Sequence, residues 1–392
     1  MIYTIFSIMP MFVALFWVIL LLIDRWYSNL SKRFLAFFLS LSFVNYFTHA
    51  LFFNNQYGLY AIFDSIWCFT SLAGYPLYYY YIRLLTKDVK IDLKLLWLII
   101  PSLLVATFSA VLYIRMSPDE VNTFIHGVMY HESDLPTGYS NLVKLQILRL
   151  SLFKIVFAIQ VILTIFFGIR LILDYNTEIK NFYSNTGGKD LTPIRRLLFF
   201  FVIASFVSFF SNAIGKDFFV THPFLLAIPS VTHSLYLFGI GYVGYKQDFA
   251  IQDFQNDLLK YEEINAAAYS QKQMQKNVES LRPRLMELLE KDEIYMNPDL
   301  RISDLSYLLS TNRSYASMLI HKTFHASFAD VINTYRVQKA KELMHSNTAP
   351  ELSQKDILIA SGFASESSFY RAFKKDTGLS PSNYMKSLEN QH

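Results

Sequence analysis

The chain has 392 residues with 35 Lys+Arg against 31 Asp+Glu, and 53% of it is hydrophobic, which is high for a soluble protein. Its single cysteine, Cys68, excludes an internal disulfide framework and a cysteine-held metal cluster. Cys68 lies in an apolar run, as a small buried hydrophobe would. Apolar residues dominate up to Tyr245 and charged and polar residues take over afterwards, so the main domain boundary falls there.

A helix needs about 20 mostly apolar residues to cross hydrocarbon. Seven stretches reach or approach that length: 2–23, 34–53, 57–85, 95–114, 150–173, 197–214 and 224–245. The first lacks a basic start and a small-residue cleavage site, so it reads as a span and not as a signal peptide. Basic residues alternate between the connections. Arg25, Lys32 and Arg33 lie in the first, Arg83, Lys87, Lys90 and Lys94 in the third, and Arg170, Lys180, Lys189, Arg195 and Arg196 in the fifth. The fourth is acidic through Asp119, Glu120, Glu132 and Asp134. The bias of Lys and Arg toward the cytoplasm places the N-terminus outside and the region after the seventh span inside. The tyrosines 78–81 are expected to form an aromatic belt at the inner interface.

Polar groups in hydrocarbon need a partner or a function. Asn45, His49, Asp64, Lys154, Gln160, Asn212 and His233 are the candidates, several of them near the outer ends of their spans. One reading is a ligand pocket open to the outside, with Asp64 and Lys154 paired. The other is interhelical hydrogen bonding, with Lys154 reaching to the headgroups. The outer segment "HGVMYHE" holds His126, His131 and Glu132 at a spacing that fits no familiar metal motif.

From 246 to 280 the chain is polar and lacks proline and glycine. Ile251, Phe254, Leu258 and Tyr261, continued by Asn265 and Ala268, follow the three-four spacing of a heptad seam. Two readings stay open: a parallel dimer stalk, or a single amphipathic helix lying against its own chain or the membrane.

From Val278 to His392 there are 14 Lys+Arg and 14 Asp+Glu, so a basic footprint must come from arrangement. "DILIASG" makes a short helix with Ile357, Leu358 and Ala360 on its apolar side, and Gly362 suits the left-handed residue that ends it. Ser365 caps the next helix, where Phe369 and Phe373 point inward and Ser367, Tyr370, Arg371 and Lys374 outward. Gly378 stops that helix and Ser380-Pro381 starts another. This is the layout of a helix–turn–helix, whose second helix enters the major groove. A second copy lies upstream. "ISDLSYLLS" is capped near Ser303 with Leu305, Leu308 and Leu309 inward, and Asn312 caps "RSYASMLIHKTF". Its outward candidates are Arg313, Ser314, Ser317, Met318 and His321. A long helix between the copies packs through Val331, Ile332, Tyr335, Ala340 and Leu343.

The segments "INTYRVQKAKELM" and "IASGFASESSFYRAFKKDTGLSPSNY" resemble the AraC/XylS family of bacterial transcription regulators over less than a third of the chain. The resemblance implies two helix–turn–helix units on a rigid helix, reading successive major grooves of double-stranded DNA. Readout would fall to Arg313, Ser314 and Ser317 in the first unit, and to Glu366, Ser367, Tyr370 and Arg371 in the second. His325 stands where the family usually has glycine, and Met318 where a polar or basic residue is common. A helical protein-interaction domain is the alternative reading of this region.

The expected architecture is all-α: a seven-helix transmembrane bundle (1–245), a helical linker (246–280) and a DNA-binding domain (281–392). The expected protein is a regulator tethered to the bacterial inner membrane. Its expected partners are DNA, the lipid bilayer, a second copy, an unidentified small-molecule or envelope signal, and RNA polymerase. No GxxxxGK[ST] nucleotide-binding motif is present, and no cofactor is expected. A transporter or membrane enzyme that represses its own operon is the alternative, and release of the reader by proteolysis is a third scheme.

Overall fold

The computed structural model describes residues 2–23, 30–87, 90–92, 97–130, 138–186, 189, 191–214, 216–247, 254–257, 278–345 and 352–389. Among these the chain is all-α, and the one strand-like contact is an isolated bridge. Two compact units emerge: Met1–Ile172 with Leu191–Ile251, and Leu173–Asp190 with Gln252–His392.

The first unit holds α1 (Ile2–Ile23), α2 (Leu30–Phe53), α3 (Tyr57–Thr86), α4 (Ile100–Arg115), α5 (Pro118–Asn122), a π-helical turn (Thr123–Met129), most of α6 (Asn141–Phe182), α7 (Thr192–Ile214), α8 (Lys216–Thr221) and α9 (Ala227–Lys246). Helix α1 packs on α2 and α9, α2 on α3, α3 on α4, and α7 on α9. These helices are apolar all round. Phe12, Leu104, Ile114, Ile162 and Phe206 remain exposed on the outside of the unit, each by more than half. Exposed apolar surface on that scale is disfavoured in water.

Six of the described helices are long and apolar enough to cross a membrane. Helix α3 is long enough at 30 residues but falls short in apolarity, because Asp64, Arg83 and the run of tyrosines lower it. Three of those tyrosines do not form an exposed belt: Tyr78, Tyr80 and Tyr81 are buried inside the unit. Their rings fill the space between helices, with Tyr78 against Phe201 and Tyr236. Helix α6 also departs from expectation. It runs 42 residues, roughly 63 Å at 1.5 Å per residue, about twice a hydrocarbon core. Nothing between Asn141 and Phe182 breaks a helix except the tolerated Gly168, so the helix does not stop where apolarity stops.

The second unit holds α10 (Arg282–Glu290), α11 (Ile302–Leu308), α12 (Arg313–Phe324), α13 (Phe328–His345), α14 (Gln354–Ala360), α15 (Glu366–Thr377) and α16 (Pro381–Glu389). Val337, Ala340 and Met344 of α13 pack with Ile357, Leu358, Phe363, Phe369 and Phe373. Burying each of these side chains other than that of Ala340 contributes about 1.5–3 kcal/mol, so α13 is the spine of this half. Toward the other half α13 buries Val331 and Ile332, and there Leu305, Leu309, Ala316, Leu319 and Ile320 are buried too. Two local expectations need correction. Helix α11 is capped at Arg301, whose N–H donates to Asp304 at 2.8 Å, so Ser303 lies inside the helix. Leu308 is exposed, because the register that buries Leu305 and Leu309 turns it outward.

Of the heptad seam only Phe254 is described; Ile251, Leu258, Tyr261, Asn265 and Ala268 lie outside the described residues. Phe254 is buried edge-on against Phe182 and Tyr175 of its own chain. At that one position the amphipathic face lies on its own chain.

Candidate functional site

Both helix–turn–helix units form as their caps dictate. The Asn312 side chain accepts the Tyr315 N–H at 2.9 Å to start α12. Ser365 accepts the Ser368 N–H at 3.4 Å to start α15. Gly362 and Gly378 take the left-handed conformation at φ +84° and +78°. His325 ends α12 at φ +53°, the conformation expected to cost a non-glycine residue about 1 kcal/mol.

On α15, Glu366, Ser367, Tyr370, Arg371 and Lys374 are exposed together, while Phe369 and Phe373 anchor the opposite face. Lys374 lies 6.0 Å from the Tyr370 ring centre, and Arg371 Nε donates to its own helix at Ser367 O, 3.2 Å away. On α12, Ser314, Met318 and His321 are exposed, whereas Arg313 and Ser317 are half-buried. The Arg313 guanidinium sits 5.9 Å from the Phe182 ring, and Asn181 lines a groove shared with Ser314, Ser317, Met318 and His321. The two recognition helices are therefore not equally open.

Ion pairs tie α13 to α15: Lys375 Nζ meets Asp330 at 2.7 Å and Lys341 Nζ meets Asp376 at 2.5 Å. Burial opposes the charge of Asp330, but hydrogen bonds from Lys375 and Ser327 outweigh it and hold the carboxyl below its usual range. Glu293 is held low in the same way by hydrogen bonds from Lys339 and Tyr295.

Sequence reasoning missed the hub of this unit. Arg336 is 1% exposed; its Nε donates to Tyr295 O at 2.7 Å and its Nη2 to Asn297 O at 2.6 Å and Ser184 Oγ at 3.2 Å. Burial pulls its pKa down to about 10, so it stays charged at neutral pH. The signal was its register: Ile332, Arg336 and Ala340 are four apart, on one inward stripe.

In the first unit the seven polar candidates separate. Asn45, His49 and His233 line one cavity of ≈ 170 Å³. Asp64 does not pair with Lys154, which is exposed. It pairs with Arg149 at 2.5 Å, both fully buried, and also accepts from Tyr60 at 2.9 Å and Tyr113 at 3.0 Å. Arg149, just before the expected fifth span (150–173), is two turns inside α6, on the face turned toward α3. Gln160 donates to Ser102 at 3.1 Å, a bond between helices. Helix α7 carries Asn212, but its side chain lies outside the described residues, as do His131 and Glu132.

The cavity wall is made of Phe38, Trp67, Phe153, Phe157 and Phe201 with hydroxyl, amide and imidazole groups, and among the described residues no Asp, Glu, Lys or Arg lines it. His233 Nδ1 donates to Pro229 O at 2.6 Å, leaving Nε2 to take the Ser208 hydroxyl at 2.7 Å. His49 Nε2 accepts from Trp67 at 3.0 Å, which fits a neutral ring.

A family model described as a helix-turn-helix domain matches residues 305–387. The Msm operon regulatory protein of Streptococcus mutans is 31% identical over 91 residues, covering 23% of this chain and 32% of that protein. The chain thus spans about a third of the length of this curated relative. No solved structure matches. The match begins at Leu305 in α11 and ends at Ser387 in α16, so it takes in both helix–turn–helix units and the connecting helix. Residues 305–387 of this chain are an AraC-type helix–turn–helix domain.

Proposed function

We propose that the protein is a membrane-tethered, one-component transcription regulator whose cytoplasmic DNA-binding domain (281–392) answers to a signal received in the apolar helices (1–245). The observation that carries this reading is one chain holding six helices apolar enough to cross a membrane and an AraC-type domain. The alternation of basic connections supports an outside N-terminus and a DNA-binding domain in the cytoplasm of a bacterial inner membrane. Arg313, Ser314, Ser317, Met318 and His321 of α12 and Glu366, Ser367, Tyr370, Arg371 and Lys374 of α15 are the proposed DNA contacts. Arg371 suits a guanine edge or a phosphate, and Lys374 a phosphate. Pairing of two copies would raise effective concentration at a two-site operator, and RNA polymerase is the expected downstream partner.

The test uses full-length protein in nanodiscs, incubated with genomic DNA fragments at several salt concentrations, with Arg371→Ala alongside. The reading expects one sequence to be enriched, and Arg371→Ala to lose roughly 1–3 kcal/mol on it. Equal capture of all fragments, or none at low salt, would remove DNA recognition from the account. Solute uptake by proteoliposomes would instead favour a transporter carrying its own repressor.

A further inference from the structure

Resting on the proposed sensing role, we infer that the cavity in the first unit binds an uncharged, ring-sized molecule carrying a hydrogen-bond acceptor. Its ≈ 170 Å³ compares with the roughly 150 Å³ apolar cavity that holds one benzene. Aromatic walls match a flat ring. Among the described residues no carboxylate, ammonium or guanidinium lines the cavity, which argues against an ion, since it would be left uncompensated there. The polar wall offers donors. Asn45 Oδ1 is already engaged by Thr70 at 3.2 Å and Ser71 at 2.6 Å, which leaves its N–H groups to donate. The Tyr236 hydroxyl is buried and has no hydrogen-bond partner among the described residues. A buried donor without a partner is costly, and a ligand carbonyl would satisfy it.

The probes are 4-fluoroacetophenone, fluorobenzene and 4-fluorobenzoate, followed by ¹⁹F NMR on the full chain in nanodiscs with empty nanodiscs subtracted. The ketone is expected to bind, fluorobenzene about tenfold more weakly, and the carboxylate not at all. Tyr236→Phe with Asn45→Leu should lower ketone affinity about tenfold, while Tyr242→Phe, on the same helix and outside the cavity, should not. Ketone and carboxylate binding alike, or an unchanged double variant that melts like the wild type, would overturn the assignment. Because this readout is binding and not DNA capture, it fails independently of the regulator reading.

A separate set of contacts supports a second proposal, also resting on the DNA-binding reading. We propose that residues 181–184 are a docking segment that holds the first recognition helix in a DNA-free arrangement. They belong to the same compact unit as the DNA-binding domain. Tyr183 bridges Arg301 in antiparallel fashion and the Ser184 N–H donates to Leu300 O at 3.1 Å. Ser184 Oγ accepts from the buried Arg336. Arg301 pairs with Asp257 at 2.9 Å and lies 5.6 Å from the Tyr183 ring. Phe182 carries Arg313, the first residue of α12, over its ring. A duplex against α12 would have to displace Asn181 and Phe182, while among the described residues the outward face of α15 is exposed. The same stretch of chain is the connection between the fifth and sixth apolar helices, so a change at the end of α6 would reach the reader without the linker.

The test measures anisotropy of the DNA selected above on full-length protein in nanodiscs. Phe182→Ala should bind roughly tenfold tighter than wild type, and Arg371→Ala in that background should remove the gain. Hydrogen exchange on the wild type guards against a folding defect in the variant: the Ser184 amide should lose protection when DNA is added. Equal affinity of wild type and Phe182→Ala, or a Ser184 amide that stays protected on bound DNA, would overturn docking alone. Failure of every form to bind DNA would take the regulator reading with it.

Discussion

The buried Asp64–Arg149 pair gives the sharpest test of the first unit. Both side chains are 0% exposed and 2.5 Å apart, and Asp64 also takes the Tyr60 and Tyr113 hydroxyls. Arg149 Nε donates to Gln146 at 3.0 Å, but its Nη1 has no partner among the described residues. Removing one member of a buried pair costs about 3–5 kcal/mol because the survivor keeps its charge without a partner. The two single variants should differ. Asp64→Ala leaves a guanidinium that cannot shed its proton, together with two orphaned tyrosine hydroxyls. Arg149→Met leaves a carboxylate that still accepts from both tyrosines. Asp64→Ala should therefore sit near the upper end of that range and Arg149→Met at or below the lower end. The double variant Asp64→Leu/Arg149→Met should recover most of the loss. Thermal unfolding in nanodiscs, read as a double-mutant cycle, measures the coupling. Single variants that melt within error of wild type, or a double variant as unstable as the sum of the two, would refute this account.

In the second unit, Gly362→Ala should destabilise more than Gly378→Ala. Both sit at positive φ, but a Cβ at Gly362 would lie 2.7 Å from Tyr295 O, whereas nothing lies within 4 Å at Gly378. The latter should cost about 1 kcal/mol, and local hydrogen exchange in the full chain separates the two. His325→Gly should stabilise α12 by up to ~1 kcal/mol, seen as slower exchange of its last turn; faster exchange would contradict the strain. Asn312→Ala should cost about 1 kcal/mol at the other end of α12. Asp330 has a depressed folded pKa, so its contribution is complete above the ordinary carboxylate value of 3.8 and is lost as pH falls through the lower folded value. Exchange protection between α13 and α15 should thus drop in that acid window, and Lys375→Ala should shrink the drop; a drop unchanged by that variant would assign it to other carboxylates.

The sequence by itself determined what is local. Apolar runs fixed the long helices, and short-range capping chemistry fixed the helix–turn–helix units: Asn312, Ser365, Gly362, Gly378 and Pro381 each act within a few residues of themselves. The outward face of α15 was legible for the same reason, since a 3.6-residue period separates Phe369 and Phe373 from Tyr370, Arg371 and Lys374. What only tertiary structure decided is which polar groups meet. Asp64 and Arg149 are 85 residues apart, and Arg336 meets Ser184 across 152. Composition sees a charge in such a place but not its partner, because no periodicity links two segments that come together only by packing. Burial of Tyr78, Tyr80 and Tyr81 was hidden likewise: an amphipathic ring suits an interface as well as a helix contact, and the neighbours Phe201 and Tyr236 decide between them. The contact of Phe182 with Arg313 lies furthest from the sequence pattern, since it joins the end of one apolar helix to the start of a recognition helix and leaves no trace in either one's own residues.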